Sequence, residues 1–330
     1  MSYNYKFVGL MCSLFVLLPL AIVLIPMVLV DFQQGGIKVD AFAPEHNNNL
    51  ADDSKIYINV KLSVEKKTVR LPLEDYIRGV VASEMPVEFE PESLRAQAIA
   101  ARTYIYSRVK NKEATVTDTV KDQVYATDEK LKEKWGIYYQ QNMIKVRAAV
   151  NSTKGKIITY QNKPIYAAFF STSNGYTENS EEYFKEAYPY LRSVPSTWDR
   201  RSPKFMRSKT LPLSFVVKAL EQHTGKKVSI TAFSQSHPII LKRTSGKRIA
   251  QIKIGDHIFT GRDVREALGL ASSDFSWRQA GGHITFITHG FGHGVGMSQW
   301  GANLMAKQGK SAEQIIYHYY QHVKIKNITN

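Results

Sequence analysis

The sequence predicts an α+β protein, in which a core of helices and antiparallel strands stands outside a membrane and carries a smaller β-rich inserted subdomain. Residues 7–30 form a run of 24 residues without a charge. After this run, stretches in which polar and apolar residues alternate are interleaved with stretches of helical periodicity. Short strand-like segments are concentrated in residues 199–280. A chain of 330 residues is long enough for one large domain or two ordinary ones.

The apolar run is long enough for a transmembrane helix, which needs about 20 residues. We therefore predict a cytoplasmic tail at 1–6, a single-pass anchor at 7–30 and a polar linker at 31–55. The alternative is a removed signal peptide, because Ala41-Phe42-Ala43 has the pattern of a cleavage site. That pattern lies 11 residues after the run, and signal peptides have shorter apolar segments, so the anchor is the preferred interpretation. The residues that follow are expected to lie outside the cell membrane.

The first part of the predicted core is residues 56–198. Alternation over 55–73 indicates a hairpin that turns at Glu65-Lys66-Lys67. A polar turn region that enters a binding edge is expected at 116–125, and two strands around the turn 161–163 are expected within 155–170. A loop of small polar residues follows at 171–182. Helical periodicity and Pro91 in a first turn predict helices at 75–82, 91–110 and 135–152.

Residues 199–280 are predicted to form the inserted subdomain, with a docking role. They begin with a basic stretch at 200–209, which in most proteins is a solvated face, and they continue with short strands. Helices are expected near 214–223 and at 261–270. The core then resumes at 281–330 with a strand, a glycine-rich loop and two helices, at 282–288, 289–296, 297–308 and 312–320.

The chain is strongly basic, with 44 Lys and Arg against 29 Asp and Glu and a formal net charge of +15. Such a balance favours an anionic partner, which could be nucleic acid, a membrane face or an acidic polymer. Nucleic acid is disfavoured because the domain is expected to be external and has no zinc-finger, RRM or helix-turn-helix signature. Cys12 is the single cysteine, so the sequence excludes an intramolecular disulfide and a cysteine-based metal site.

Glu84 is a candidate proton donor for glycosidic cleavage. It follows the apolar run 79–82 and is followed at once by Met85-Pro86. Burial against apolar groups raises the pKa of a carboxyl, which then keeps its proton near neutrality. Alternatively, Glu84 caps a helix end or pairs with Arg78. Glu88 is the candidate for a second carboxylate, although its surroundings are more highly charged.

Two further features suggest a saccharide site. Arg102 could orient Glu84 or bind a sugar carboxylate through its guanidinium fork, or it could form a structural salt bridge. The polar loop offers short donors and acceptors for saccharide hydroxyls, although the same composition suits a capped surface loop. These loop residues are Ser171, Thr172, Ser173, Asn174, Thr177, Glu178 and Asn179.

His289 and His293 are four residues apart, a spacing that on a helix would suit a metal. The four glycines at 290, 292, 294 and 296 argue against a helix there, so the metalloprotease geometry does not apply. The loop also lacks the Lys-Ser/Thr ending of a phosphate-binding P-loop. We expect close approach of the backbone to a ligand instead, and no metal or other cofactor.

Six motifs occur in an order that resembles one known family. That family is the stage II sporulation protein D family, which is related to the amidase-enhancer proteins of cell walls. The resemblance covers residues from about 56 to 322. The motifs are LPLEDYIRGVVASEMP, RAQAIAARTY, DTVKDQVY, FFSTSNGYTENSEE, YPYLRSVPSTWD and HGFGHGVGMSQWGA.

The resemblance implies a peptidoglycan lytic transglycosylase that acts during engulfment in sporulation. It would cleave the bond between N-acetylmuramic acid and N-acetylglucosamine in peptide-stripped glycan strands and form 1,6-anhydro ends. Glu84 matches the family's catalytic acid, Arg102 matches a family arginine, and Tyr190 and Arg192 match an aromatic–basic pair that handles glycan. The predicted substrate-binding residues are Gln97, Arg102, Ser171, Ser173, Asn174, Thr177, Glu178, Tyr190, Arg192, His289, His293, Ser298 and Gln299.

The resemblance also implies partners and a location. The partners are a sporulation amidase (stage II sporulation protein P) and a membrane scaffold (stage II sporulation protein M). The location is the engulfing mother-cell membrane, with the catalytic domain facing the septal space. Some members of the family carry a zinc site with cysteine ligands, which this sequence cannot supply. Two alternatives stay open: a non-catalytic glycan-binding activator of a wall amidase, and an anchored scaffold whose cleft is vestigial.

Overall fold

The computed structural model describes residues 56–234 and 238–328. The predicted tail, anchor and linker at 1–55 lie outside the described residues. Within the described residues, no helix is both long enough and apolar enough to cross a membrane. The predicted mixture of helices and antiparallel strands is confirmed, and two short parallel strand pairs add to it.

The first part of the chain is a small sheet packed against helices. The predicted hairpin is confirmed: β1 (Tyr57–Leu62) pairs antiparallel with β2 (Lys67–Pro72). Strand β3 (Glu113–Thr117), which the sequence pattern does not predict, pairs parallel with β1. The helices of this part are α1 (Leu73–Glu84), α2 (Pro91–Tyr106), α3 (Asp128–Trp135) and α4 (Tyr139–Asn151).

Helix α2 is the central element of the fold because hydrophobic clusters pack on two of its faces. Leu94, Ala98, Ala101 and Ile105, the face that the sequence predicted, join the cluster built around α1 and the first sheet. Ala96, Ile99 and Ala100 join a second cluster with the C-terminal helices. The alanines permit close packing on both faces, so α2 fixes the position of α1 and of its terminal residue Glu84.

The second cluster is covered by short strands and the C-terminal helices. Strand β4 (Lys156–Tyr160) lies between β5 (Lys163–Pro164) and β14 (Lys324–Asn327), antiparallel to both. Strand β6 (Phe169–Phe170) runs parallel to β13 (Met297–Ser298), and helices α8 (Gln299–Lys307) and α9 (Ala312–Tyr319) follow. Gly296, with φ +79°, makes the β6–β13 pair possible, because a Cβ there would lie 2.0 Å from the Ala168 carbonyl oxygen.

Residues between the two parts form a third hydrophobic cluster, drawn wholly from residues 211–286. Strands β7 (Met206–Pro212), β12 (His283–His289) and β11 (Phe275–Ala280) make one antiparallel sheet. Strands β8 (Ile239–Arg243), β9 (Ile249–Ile254) and β10 (His257–Thr260) make another. The helices here are α5 (Leu213–Thr224), α6 (Thr231–Ser234) and α7 (Gly261–Leu268). Because β12 belongs to the first of these sheets, that sheet spans the predicted boundary at residue 280; the docking role stays a prediction.

Candidate active site

Glu84 is the last residue of α1 and is half-buried. The backbone N–H of Val124 donates to its Oε1 at 2.8 Å. Burial raises the pKa of Glu84, and the Val124 N–H and the nearby Gln299 side chain offset only part of that effect. Arg78 does not pair with it, since its guanidinium lies 2.9 Å from Asp75 and 3.6 Å from Asp128. The geometry therefore leaves Glu84 as a carboxyl that can hold a proton.

Glu84 lines a cavity of about 490 Å³. One part of the wall is aromatic, and another part carries polar groups. Cavities of this size that combine apolar walls with a few polar groups are typical of ligand sites. The aromatic residues include Tyr104, Tyr166, Phe170, Tyr183, Phe184 and Phe291. The polar residues include Glu84, Asp122, Gln123, Ser171, Arg265, His293 and Gln299.

Asp122 is the other carboxylate of this cavity lining. Burial alone would raise its pKa, but hydrogen bonds from Thr117 and the Arg108 guanidinium outweigh burial and lower the pKa. Both the N–H and the hydroxyl of Thr117 donate to its Oδ2 at 2.8 Å. The two carboxyl groups are thus pushed in opposite directions, Glu84 toward the protonated form and Asp122 toward the charged form. Glu88, the predicted second carboxylate, is exposed and does not line the cavity.

His293 lines the cavity as a neutral imidazole. The backbone N–H of Val295 donates to its Nδ1 at 3.1 Å, so the ring proton resides on Nε2. Burial, together with the positive charges of Arg265 and Arg248, lowers the pKa of His293 from 6.5 to about 3. His289 does not line the cavity and packs instead against Phe205. No group of three His, Cys, Asp or Glu side chains that could hold a metal occurs within the described residues.

The lowered pKa of His293 predicts how the free energy of unfolding depends on pH. The unfolded chain takes up a proton on this ring below 6.5, whereas the folded chain does so only near pH 3. The free energy of unfolding should therefore fall as the pH falls from about 6.5 toward about 3. Denaturant unfolding between about pH 7.5 and pH 5 should show a larger loss for the wild type than for His293→Gln. An equal loss in both proteins would contradict this assignment.

Arg102 is buried away from the cavity, and the predicted substrate contact is corrected. Its Nε and Nη2 lie 2.7 Å and 2.6 Å from the two carboxylate oxygens of Glu74, and its side chain has no exposed surface. Its Nη1 donates to the Lys156 carbonyl oxygen at 3.2 Å. Arg102 therefore forms a structural salt bridge with Glu74, which was the alternative role considered for it from the sequence. Gln97, on the same helix, is also fully buried and does not line the cavity.

Most of the predicted loop residues also hold the fold together and do not contact the cavity. Ser173 and Ser298 donate to the buried Asp199 carboxylate at 2.8 Å and 2.7 Å. Glu178 forms a buried pair with Arg248, with 2.9 Å between Oε1 and Nη1. Thr177 donates to the Arg192 carbonyl oxygen, and Asn174 bonds to Gly246 and Asp274. The buried members, Ser173, Thr177, Glu178 and Ser298, offer no surface to a glycan.

Tyr190 supports the aromatic wall of the cavity, whereas Arg192 lies outside the cavity lining. The backbone N–H of Tyr166 donates to the Tyr190 hydroxyl at 3.0 Å, and the rings of Tyr190, Tyr188 and Tyr166 stack with centroids 5.5 and 5.7 Å apart. Arg192 makes a two-point ion pair with Glu181. Neither residue lines the cavity. Tyr190 is buried and positions Tyr166, whereas the Arg192 side chain is 33% exposed, so its glycan contact stays a prediction.

Four predicted residues do meet in the cavity: Glu84, Ser171, His293 and Gln299. Trp300 N–H, at the start of α8, donates to the Ser171 carbonyl oxygen at 3.0 Å and so holds the Gln299 segment beside Ser171. The predicted binding edge at 116–125 contributes Asp122 and Gln123. Sequence reasoning missed the aromatic wall and Arg265, because these residues come from distant segments and carry no local signal.

Comparisons with known proteins agree with the resemblance seen in the motifs. The family model SpoIID, described as a stage II sporulation protein, matches residues 63–160. The chain is 49% identical over 280 residues to stage II sporulation protein D of Bacillus amyloliquefaciens, covering 83% of this chain and 79% of that protein. It is 46% identical over 279 residues to stage II sporulation protein D of Bacillus subtilis (strain 168), covering 82% and 79%.

A more distant relative is the amidase enhancer of Bacillus subtilis (strain 168). It is 28% identical over 295 residues, which cover 74% of this chain and 39% of that protein. The two stage II sporulation D proteins, by contrast, match this chain along most of their length, at 49% and 46% identity. The chain therefore belongs to the stage II sporulation protein D family.

Proposed function

We propose that this sporulation protein is a lytic transglycosylase that cleaves the glycan strands of peptidoglycan, with Glu84 as its catalytic acid. The observation that carries the proposal is the half-buried Glu84 carboxyl, whose pKa burial raises, at the wall of an aromatic cavity of about 490 Å³. A proton donor with a raised pKa beside flat aromatic surfaces suits a pyranose ring and its glycosidic oxygen.

The proposed reaction uses one carboxyl group twice. Protonated Glu84 donates to the oxygen between N-acetylmuramic acid and N-acetylglucosamine, the bond from that oxygen to C1 of muramic acid breaks, and an oxocarbenium-like centre forms. The Glu84 carboxylate then takes the proton from the C6 hydroxyl of the same muramoyl residue. The C6 oxygen bonds to C1 and closes a 1,6-anhydro ring. Because the substrate supplies the nucleophile, no second protein carboxylate is needed as a base for water.

The surroundings of Glu84 suit both halves of this cycle. Burial holds the proton on the carboxyl before cleavage, and the Val124 N–H, at 2.8 Å from Oε1, supports the carboxylate that forms afterwards. Asp122 keeps its negative charge in the same cavity lining, where the Arg108 guanidinium and Thr117 hold it.

The rate should depend on pH in one direction. Only the protonated Glu84 carboxyl can donate, so kcat/KM on peptide-free glycan should fall as the pH rises through the raised pKa of Glu84. A pH profile of initial rates, with anhydro ends counted by mass spectrometry, checks this. A value of kcat/KM that increases as the pH rises through the pKa of Glu84 would show that the charged carboxylate is the active form and would contradict the assignment.

A second candidate is a non-catalytic glycan-binding activator of a wall amidase, which the 28% identity to a protein named amidase enhancer favours. In that case the cavity would bind glycan and Glu84 would be a ligand contact. Incubating the purified protein with peptide-free glycan, without any amidase, separates the two. New anhydro ends support the transglycosylase, whereas glycan binding with intact strands supports the activator.

The proposal extends to location and partners. We propose attachment through the apolar run 7–30 to the engulfing mother-cell membrane, with the cavity facing the septal space. A sporulation amidase that strips peptides would supply the substrate, and a membrane scaffold would hold both proteins together. Co-purification of the full-length chain with each partner, with and without residues 1–30, tests this arrangement.

A further inference from the structure

Arg265 projects from α7 into the cavity that contains Glu84. Its Nη1 lies 3.2 Å from the Tyr183 hydroxyl and its Nε lies 3.4 Å from the Ala271 carbonyl oxygen. These contacts hold the guanidinium in place, but they do not neutralise it. Two neighbouring arginines each have a carboxylate partner: Arg262 pairs with Glu266 at 2.8 Å, and Arg248 pairs with Glu178 at 2.9 Å. Arg265 has no carboxylate partner among the described residues.

Arg265 places in its corner of the cavity a positive charge that no carboxylate of the described residues neutralises. The charges of Arg265, Arg248 and Arg262 all help burial to lower the pKa of His293, which lines the same wall. Arg248 is almost fully buried, and its Nε and Nη2 have no hydrogen-bond partner within the described residues. Asp122, the charged carboxylate of the lining, is already engaged by Arg108 and Thr117. A fixed, unpaired guanidinium in such a corner is suited to an anionic ligand group.

We propose that Arg265 binds the free lactyl carboxylate of a muramoyl residue and makes this corner a subsite for peptide-free glycan. The proposal rests on the function proposed above, because it takes peptidoglycan glycan as the ligand. In that polymer, N-acetylglucosamine is neutral, and the lactyl group of a muramoyl residue is anionic only where no peptide is attached to it. Where a stem peptide is attached, that carboxyl group is an amide.

The contact with Arg265 would favour a free lactyl carboxylate and disfavour a lactyl amide. A free carboxylate would pair with Arg265 in a charge-assisted hydrogen bond, possible in two-point form because the guanidinium is planar. An amide at the lactyl position cannot neutralise the guanidinium and would leave a partly buried charge unpaired, which disfavours strands whose lactyl groups are amides. Arg265 thus acts as a specificity residue for the bond that Glu84 cleaves.

Binding measurements on the full-length protein test the assignment. The protein carries Glu84→Gln, so that no turnover occurs, and the probe is a tetrasaccharide of alternating N-acetylglucosamine and N-acetylmuramic acid. One form has free lactyl carboxylates and the other has lactyl amides. The dissociation constant should be lower for the free acid. Adding Arg265→Gln should weaken the acid form about 10–100-fold and leave the amide form unchanged. Arg265→Lys should keep part of the preference, since it keeps the charge.

The matched control is Arg278→Gln, which removes an exposed arginine of β11 outside the cavity lining and should leave the preference intact. Equal weakening of both ligand forms by Arg265→Gln, or equal binding of both forms to the parent protein, would overturn the Arg265 assignment. A wild-type protein that prefers the free acid yet produces no anhydro ends would overturn the proposed function and leave the Arg265 assignment standing.

Discussion

Glu84→Gln is expected to reduce the rate of glycan cleavage by about 10²–10⁴-fold, the range that a general acid–base residue contributes. Glutamine has nearly the same volume, and its amide oxygen can still accept the Val124 N–H, so the local packing should survive. It cannot donate the proton that the leaving oxygen needs. Initial rates on peptide-free glycan measure the loss, and circular dichroism with thermal unfolding verifies that the fold is unchanged.

Glu88→Gln is the matched control, because Glu88 lies four residues further along, is exposed and does not line the cavity. Its cleavage rate should stay close to that of the wild type. Near-normal cleavage by Glu84→Gln would remove Glu84 from the mechanism. A large loss in Glu88→Gln with an intact fold would restore the two-carboxylate arrangement that the structure argues against.

Arg102→Ala is expected to destabilise the protein by about 3–5 kcal/mol, the cost of breaking a buried ion pair by removing one partner. The substitution would leave Glu74 without its two-point partner and free the Lys156 carbonyl oxygen beside the centre of the fold. Urea unfolding gives the change in the free energy of unfolding. Because Arg102 does not line the cavity, the folded fraction should bind glycan as the wild type does.

Arg95→Ala serves as the control on the same helix, since Arg95 is partly exposed and pairs with Glu92 at the surface. Exposed pairs contribute only about 0–1 kcal/mol, so its effect should be small. A fully stable Arg102→Ala protein with weakened glycan binding would show that Arg102 contacts substrate after all and would contradict the structural role.

The parts of the fold that the sequence predicted are those with strong local periodicity. The buried face of α2 and the first hairpin follow directly from apolar spacing. Helix α3 was missed because Leu131 is its one buried residue, so its sequence carries almost no apolar period. Strand β3 was missed because it is short and pairs in parallel with a segment far away in sequence, which no local pattern reveals.

The features of the candidate site likewise divide into those that local sequence predicts and those that only the assembled fold reveals. The partial burial of Glu84 was predictable, because an acid between an apolar helix end and a proline is shielded by its own neighbours in sequence. The role of Arg102 was not predictable, because α2 is covered on both faces only in the assembled fold. Arg265 comes from a segment that the sequence assigned to a separate subdomain, and only the packing of α7 beside Tyr183 brings it to the cavity.

Product analysis on peptide-free glycan tests the central claim most directly. Wild-type protein, without any amidase, should release fragments whose muramoyl ends carry the 1,6-anhydro ring, and Glu84→Gln should release almost none. Mass spectrometry separates these ends from ordinary reducing ends, which are heavier by one water. Fragments with reducing ends would mean hydrolysis, and intact strands with the wild-type protein would mean that the cavity binds glycan without cleaving it.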